Sequence, residues 1–350
     1  MRQLPAKTLE SLRGEAPDRP VTAVQESPGL RPPRGRTIFQ EDWWLDAASN
    51  GAAETVRVSW EGMSVAALSF VRTRRYGLRR LVMPPYTRTL GPVFTLPPAK
   101  AAHHFANVRR ATADLLAQLP PYDICYQLLR PSDESALAFA LAGADVASRF
   151  TWRVDPGDPL PVVFDRIAPR IRRLIRACER TCTVESHLEF ERFRRVCLRD
   201  RGPDETRHDF ATMERIFQAC AGRDCTRILT VVGANGTDLA SAILVWDGEA
   251  AYYWNVARDR EHSGGGANSL LLWSAIRFAH DRNLVFDFDG YKGSRAGAFL
   301  ALFGVTPAIR PAVVLSRGLG RVALAAQSVF LGIRRSREGR SQETESRAEG

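Results

Sequence analysis

Between Tyr252 and Gly304 the chain gathers residues that could hold a phosphorylated carrier and move a group from it. Ser263-Gly264-Gly265-Gly266-Ala267-Asn268 follows an aromatic strand pattern and opens an apolar helical one. A helix start presents unpaired N–H groups and a positive dipole end, and glycines let the backbone approach an anion closely. Further on, Asp287 and Asp289 stand two apart in a strand pattern, Leu284–Phe288, which puts both carboxylates on one face and Phe286 and Phe288 on the other. Their Cα atoms would be about 7 Å apart. One carboxylate could deprotonate or orient an incoming nucleophile; equally, the pair could be tied to arginines or loop N–H groups for structure. Tyr291 and Lys292 come next. Lys292 could stabilise charge or touch phosphate, or be a solvated loop lysine. His262, at the loop entrance, is a candidate base or an ordinary exposed histidine.

Two series of elements in the same order position these residues. In the first half, strands at Glu54–Trp60, Met63–Thr73 and Leu78–Met83 are joined by turns at Glu61-Gly62 and Tyr76-Gly77. A helix at Ala99–Leu119, a strand at Asp123–Leu129, a helix at Ser132–Ala142 and a strand near Ser148–Val154 follow. In the second half, strands at Arg227–Val232, Leu239–Trp246 and Ala250–Ala257 lead to the glycine loop. The helix Asn268–Arg282, the strand Leu284–Phe288, the helix Ser294–Phe303 and a strand near Ile309–Ser316 complete it. Between the halves, His187–Arg199 and Phe210–Ala221 have helical apolar spacing. Each half is an antiparallel meander, then a helix, then a strand beside the meander, which is an α+β unit. The first-half loop before the helix, LGPVFTLPPAK, has prolines in place of the glycine cluster, and proline lacks the N–H a phosphate needs. The second half should therefore carry the carrier and the first half shape the acceptor cleft.

The boundaries expected are a disordered basic, Pro-rich arm over residues 1–36, a first domain over 37–165 and a second over 166–317. Residues 318–350 should form an amphipathic helix and a disordered tail. The formal net charge is +10, from 49 Lys+Arg against 39 Asp+Glu. Lysine occurs only at Lys7, Lys100 and Lys292. The basic excess suits nucleic acid, anionic lipid or a phosphorylated substrate, or simply makes a basic surface. The stretch Arg166–Arg176 reads as a basic helix with Ile171, Leu174 and Ile175 on one stripe; its arginines form a solvated face or meet a phosphorylated or nucleic-acid partner. The six cysteines show no CxxC pair and no zinc spacing, so reduced thiols and no metal are expected. There is no secretory signal pattern and no apolar run of membrane-spanning length, and a cytoplasmic location is expected. The apolar stretch Val322–Ile333 allows peripheral membrane contact or docking on the protein's own core. No GxSxG element, HExxH motif, P-loop or dedicated nucleic-acid-binding signature is present.

The order meander, glycine loop, helix, strand resembles the GNAT acyltransferases, whose loop pattern is Gln/Arg-x-x-Gly-x-Gly/Ala. Arg260-Glu261-His262-Ser263-Gly264-Gly265 follows it with Ser263 in the first glycine position. Glu261 to Gly266 matches the glycines with an acid in the leading place. Trp43-Trp44-Leu45-Asp46 and Met83-Pro84-Pro85-Tyr86-Thr87-Arg88-Thr89-Leu90-Gly91-Pro92 resemble the N-terminal half of the tandem-GNAT proteins called BioF2-like or FemAB-like acetyltransferases. Phe286-Asp287-Phe288-Asp289-Gly290, with Phe299 and Phe303-Gly304, resembles their DF-x-G … F … FG signature. The resemblance covers about residues 38–316. It implies two tandem GNAT-like domains and acetyl-CoA or another acyl-CoA as co-substrate, with no metal. Pyrophosphate would lie on Arg260, Ser263, Gly264, Gly265, Gly266, Ala267 and Asn268, and the thioester against Trp254, Asn255 and Val256. A small-molecule amine, an amino sugar or other metabolite of envelope or polysaccharide synthesis, would attack the carbonyl. Asp287, Asp289, Tyr291 and Lys292 would be the catalytic candidates, Tyr291 protonating the leaving thiolate. Two alternatives stand beside this: aminoacyl transfer from tRNA to a cell-wall precursor, as in the Fem branch, and a non-catalytic envelope-assembly scaffold with a degenerate loop.

Overall fold

The computed structural model describes residues 35–205, 208–259, 266–290 and 293–323. Most of the expected N-terminal arm, the C-terminal tail and most of Val322–Ile333 lie outside these residues. A short 3-10 turn at Ile38–Gln40 leads into α1 (Asp42–Ser49). The first half continues with β1 (Ala53–Trp60), β2 (Met63–Arg75), β3 (Leu78–Val82), β4 (Val93–Phe94), α2 (Ala101–Gln118), β5 (Ile124–Leu128), α3 (Ser135–Leu141) and β6 (Asp145–Val154). Next come α4 (Leu160–Arg166), α5 (Pro169–Glu179), β7 (Cys182–His187), α6 (Phe190–Glu205) and α7 (Phe210–Ala221). The second half proper has β8 (Thr226–Gly233), β9 (Asp238–Trp246), β10 (Ala250–Arg258), α8 (Gly266–His280), β11 (Val285–Asp287), α9 (Ser294–Ala301) and β12 (Thr306–Ser316).

The repeated order holds in three dimensions. β1–β2–β3 is an antiparallel meander and β5 joins β3 in parallel; β8–β9–β10 is a second meander and β11 joins β10 in parallel. The last strands of the halves are exchanged. The sheet runs β1-β2-β3-β5-β12-β6-β11-β10-β9-β8-β7, so β12 lies against β5 and β6 lies against β11. The long β6–β12 pairing, from Thr306↔Arg153 to Val314↔Asp145, makes the two meanders one continuous sheet.

Three expectations need correction. The helix expected from His187 begins at Phe190, because Cys182–His187 extends along β8 as an edge strand. Alternation in CTVESH was the available signal. The strand expected over Leu284–Phe288 is only Val285–Asp287. Asp289 lies past its end with φ +61°, so the two carboxylates are not a simple strand pair. The basic stretch Arg166–Arg176 is two helices, α4 and α5, broken at Ala168-Pro169, where proline disfavours helix at the preceding residue.

The central strands are covered on both faces. Leu229, Val231, Leu244, Ala251 and Tyr253 pack with Leu270, Leu271 and Ala275 of α8 and with Ile171 and Ile175 of α5. The alternate residues Ile228, Ile243, Val245, Tyr252 and Trp254 pack with Phe193, Met213 and Phe217 of α6 and α7 and with Phe39 and Trp44. Full two-sided burial explains the near-continuous apolar runs in β8–β10. α8 buries residues all round its surface because it lies between the sheet and α5. A third core joins β1–β3 and β5 to α2 through Leu68, Phe70, Leu81, Ala111 and Leu115. The six cysteines are free.

Candidate active site

β10 and β11 pair only through Ala250↔Val285, Ala251↔Phe286 and Tyr252↔Asp287. Beyond Tyr252 the strands part, and a register shift between Tyr253 and Asn255 bends β10 further from regular pairing. The gap opens into a cleft of about 1150 Å³ lined by both halves, including Arg80 and Arg88 from the first and Tyr253, Asn255, Val256, Asn268 and Asp289 from the second.

The loop between β3 and β4 is anchored across this gap. The Trp44 indole donates to Thr87 Oγ1 at 3.1 Å, and the Trp254 indole donates to the Tyr86 carbonyl at 2.9 Å. Trp254 also packs edge-on against Trp44 and Tyr86, with centroids 5.4 and 5.8 Å away. Arg88 then reaches the far side: its guanidinium donates to the Trp254 carbonyl at 2.5 Å and to Asn255 Oδ1 at 3.3 Å, and Nε lies 2.7 Å from Asp289 Oδ2. The Nε contact is an ion pair without hydrogen-bond alignment, since Nε has no hydrogen-bond partner.

Asp287 and Asp289 meet on Arg310 of β12. Asp287 Oδ1 accepts from Arg310 at 2.8 Å, from Thr151 Oγ1 at 2.6 Å and from the Asp289 N–H at 2.8 Å. Thr151 Oγ1 in turn accepts the Gly290 N–H at 3.0 Å. Arg153 stands 3.6 Å from Asp287 Oδ2. The Asp287 side chain is 1% exposed, so it presents no surface to a substrate. Asp289 Oδ1 lies 3.3 Å from Arg310; Asp289 is among the residues lining the cleft, with its side chain 2% exposed. Burial pushes its carboxyl up to about 6, against the pull of Arg88 and Arg310. Burial also disfavours the charge on Arg310, but Asp287 and Asp289 outweigh it and hold the guanidinium more firmly protonated than usual.

Two buried polar atoms on β10 have no partner: the Tyr253 hydroxyl and the Asn255 side-chain nitrogen. Both residues line the cleft. Burial raises the Tyr253 pKa, which keeps the phenol protonated and a donor. Orphan donors facing a cleft are sites where a ligand acceptor atom gains a hydrogen bond the apo protein lacks.

Of the residues expected to bind the carrier, Trp254, Asn255, Val256 and Asn268 line the cleft. Trp254 contributes its carbonyl, already held by Arg88, while its side chain packs in the core. Ala267 is buried among core residues. Gly266 opens α8, and a Cβ there would lie 3.2 Å from the Leu174 carbonyl and 3.3 Å from Cys178 Cβ, so its missing side chain serves the α5–α8 approach. Arg260, Ser263, Gly264, Gly265, Tyr291, Lys292 and His262 lie outside the described residues. Sequence reasoning did not single out Arg88, Arg153, Arg310, Thr151 or Tyr253. Arg88 sat within the quoted MPPYTRTLGP segment, which was the one available signal. Nothing local marks Arg310 among so many arginines.

A continuous sheet built from two meanders, each followed by a parallel strand, with a splayed β10, defines a tandem GNAT fold. Residues 166–295 match the family model described as an acetyltransferase (GNAT) domain, a match that supports acyltransferase activity. The fold is similar to that of FemX, at 12% identity over 82% of this chain and 94% of that one, with a TM-score of 0.58. It is similar too to the C-terminal domain of a protein from Agrobacterium fabrum named as a lysylphosphatidylglycerol synthetase (13% identity, 83% and 93% of the chains, TM-score 0.54). L-PGS from Bacillus licheniformis shares it at 11% identity, over 80% and 89% of the chains, with a TM-score of 0.52. No curated protein matches the chain by sequence. Among the described residues no helix is long and apolar enough to cross a membrane, and no three His, Cys, Asp or Glu side chains cluster as metal ligands.

Proposed function

We propose that this protein transfers an acyl group from acyl-CoA to an amine bound in the cleft, with residues 166–317 carrying the donor and residues 37–165 shaping the acceptor side. The observation that carries the reading is the splay of β10 from β11 after Tyr252, with Tyr253 and Asn255, each carrying a buried unpartnered polar atom, lining the cleft. Bound there, acyl-CoA would supply an activated thioester carbonyl. The chain's own part is to orient and to handle protons. Arg88 ties up the Trp254 carbonyl and fixes the width of the opening. Asp289, a cleft residue whose carboxyl is pushed up to about 6 by burial, is the candidate to accept a proton from the acceptor ammonium. Tyr253 is a donor toward developing negative charge on the cleft wall. Asp287 orients Asp289 through the Asp289 N–H and the shared Arg310. The expected setting is the cytoplasm.

Calorimetric titration with acetyl-CoA and with longer acyl-CoAs tests the donor. Saturable binding that weakens in Gly265→Asp is expected; no binding of any acyl-CoA sinks the reading.

A second reading, aminoacyl transfer from tRNA, draws on one feature. Arg170, Arg173, Arg176 and Arg180 are exposed on or just beyond α5, and the folds named FemX and L-PGS are similar. Phosphate contacts of this kind weaken steeply with salt. Salt-sensitive binding of charged tRNA, with no acyl-CoA binding, would select it. The scaffold alternative ends if acyl transfer is detected and Asp289→Asn abolishes it.

A further inference from the structure

The cleft continues well past the splay, over the face of the sheet formed by β6, β12, β5 and β3. Register pairing orders the side chains on that face. Arg149 is opposite Arg310, Leu128 opposite Ala312, and Tyr126 opposite Val314; Ser316 is opposite Ile124, which is opposite Arg80. Side chains two apart on a strand share a face, so Arg149, Leu128, Tyr126 and Arg80 form a track, and all four line the cleft. Six residues along β12 separate its ends, or about 20 Å.

The charges on this track are unevenly matched. Arg88 and Arg310 face Asp289 and Asp287. Arg149 and Arg80 have no carboxylate partner among the described residues. The Nε atoms of Arg80 and Arg310 are buried with no hydrogen-bond partner. Buried guanidinium N–H groups without acceptors are costly, and an anion is the partner they fit. Between the two cationic ends, Leu128 and Tyr126 give a largely apolar floor.

We infer that the cleft takes an elongated acceptor with two separated anionic groups, carboxylate or phosphate, one on Arg149 beside the reaction centre and one on Arg80 at the far end. This rests on the acceptor assignment made above for the first half, but not on the identity of the donor. Anchors about 20 Å apart cannot grip one compact anion, so length is part of the recognition.

The test is calorimetric titration of the full chain, without donor, using hexaglutamate and linear hexaphosphate as long probes and diglutamate and pyrophosphate as short ones. At least one long probe should bind about tenfold or more tightly than its short counterpart. Arg80→Gln and the exposed Arg149→Gln should each remove that advantage, while Arg195→Gln, an equal loss of charge on α6, should leave it intact. The chemistry of the favoured long probe separates carboxylate from phosphate. Equal affinity for long and short probes, or the same loss in all three variants, overturns the proposal. Absence of acyl-CoA binding with the length effect intact would count against the donor reading alone.

Discussion

Arg88, from the loop after β3, places its Nε 2.7 Å from Asp289 Oδ2 at the end of β11, so a residue of the first half sets the charge environment of a carboxylate in the second. The same guanidinium holds the Trp254 carbonyl on β10. One side chain therefore spans the opening between β10 and β11.

Removing that strut should cost both stability and turnover. Arg88→Ala leaves Asp289 with Arg310 alone and frees the Trp254 carbonyl. Loss of one partner of a buried pair costs about 3 kcal/mol. Urea unfolding should show that loss, and Arg88→Lys should recover little of it, because a single ammonium cannot serve the Trp254 carbonyl and Asp289 with a planar fork.

Asp289 should leave a mark on the pH dependence of stability. Its carboxyl is pushed up from 3.8 to about 6 by burial, so the folded state binds this proton more tightly than the unfolded one. The contribution is therefore fully present below about pH 4, declines as pH rises toward about 6 and is flat above. The total is about 3 kcal/mol at 1.36 kcal/mol per unit. Asp123 and Asp209, whose carboxyls are lowered by hydrogen bonds from Arg79 and Thr212, act in the opposite direction. The effect is best read as the stability of wild type minus that of Asp289→Asn. That difference should fall by about 2–3 kcal/mol between pH 4 and pH 6.5; a constant difference would refute the assigned proton affinity.

Tyr253→Phe separates chemistry from folding. The hydroxyl is buried and unpartnered, so deleting it should leave thermal stability unchanged or raise it by up to about 1 kcal/mol. If the hydroxyl meets developing charge, kcat should fall about tenfold or more with KM little changed. Unchanged kcat would remove Tyr253 from the site.

At Gly266 the expected effect is on packing. An alanine Cβ would press on the Leu174 carbonyl and Cys178, and the rigid α5 backbone must give way. Gly266→Ala should lose about 1 kcal/mol and Gly266→Val about 3 kcal/mol in chemical denaturation. No loss in either would mean that α5 and α8 can separate freely.

Much of this protein was legible in its residues. The alternation in β1–β3 and β8–β10, the Xaa-Gly turns and the apolar helix after the glycine loop are local signals, and local periodicity decides which segments become strands and helices. The duplicated order followed from them, as did Asp289 as a candidate site residue. The partners of that carboxylate did not. Arg88 lies 201 positions before Asp289 and Arg310 21 after it, and no spacing rule distinguishes them from the other arginines. The exchange of β6 and β12 was equally invisible, because either strand satisfies the same hydrogen-bonding pattern beside either meander, and only the packing of the whole sheet selects one. The sequence by itself determined the elements, their repetition and the acyltransferase class they resemble. The tertiary structure decided that the two halves share one sheet, that Asp287 is buried among donors and Asp289 between Arg88 and Arg310, and that arginines distant in the chain meet at one opening, since burial and charge pairing depend on contacts across the fold.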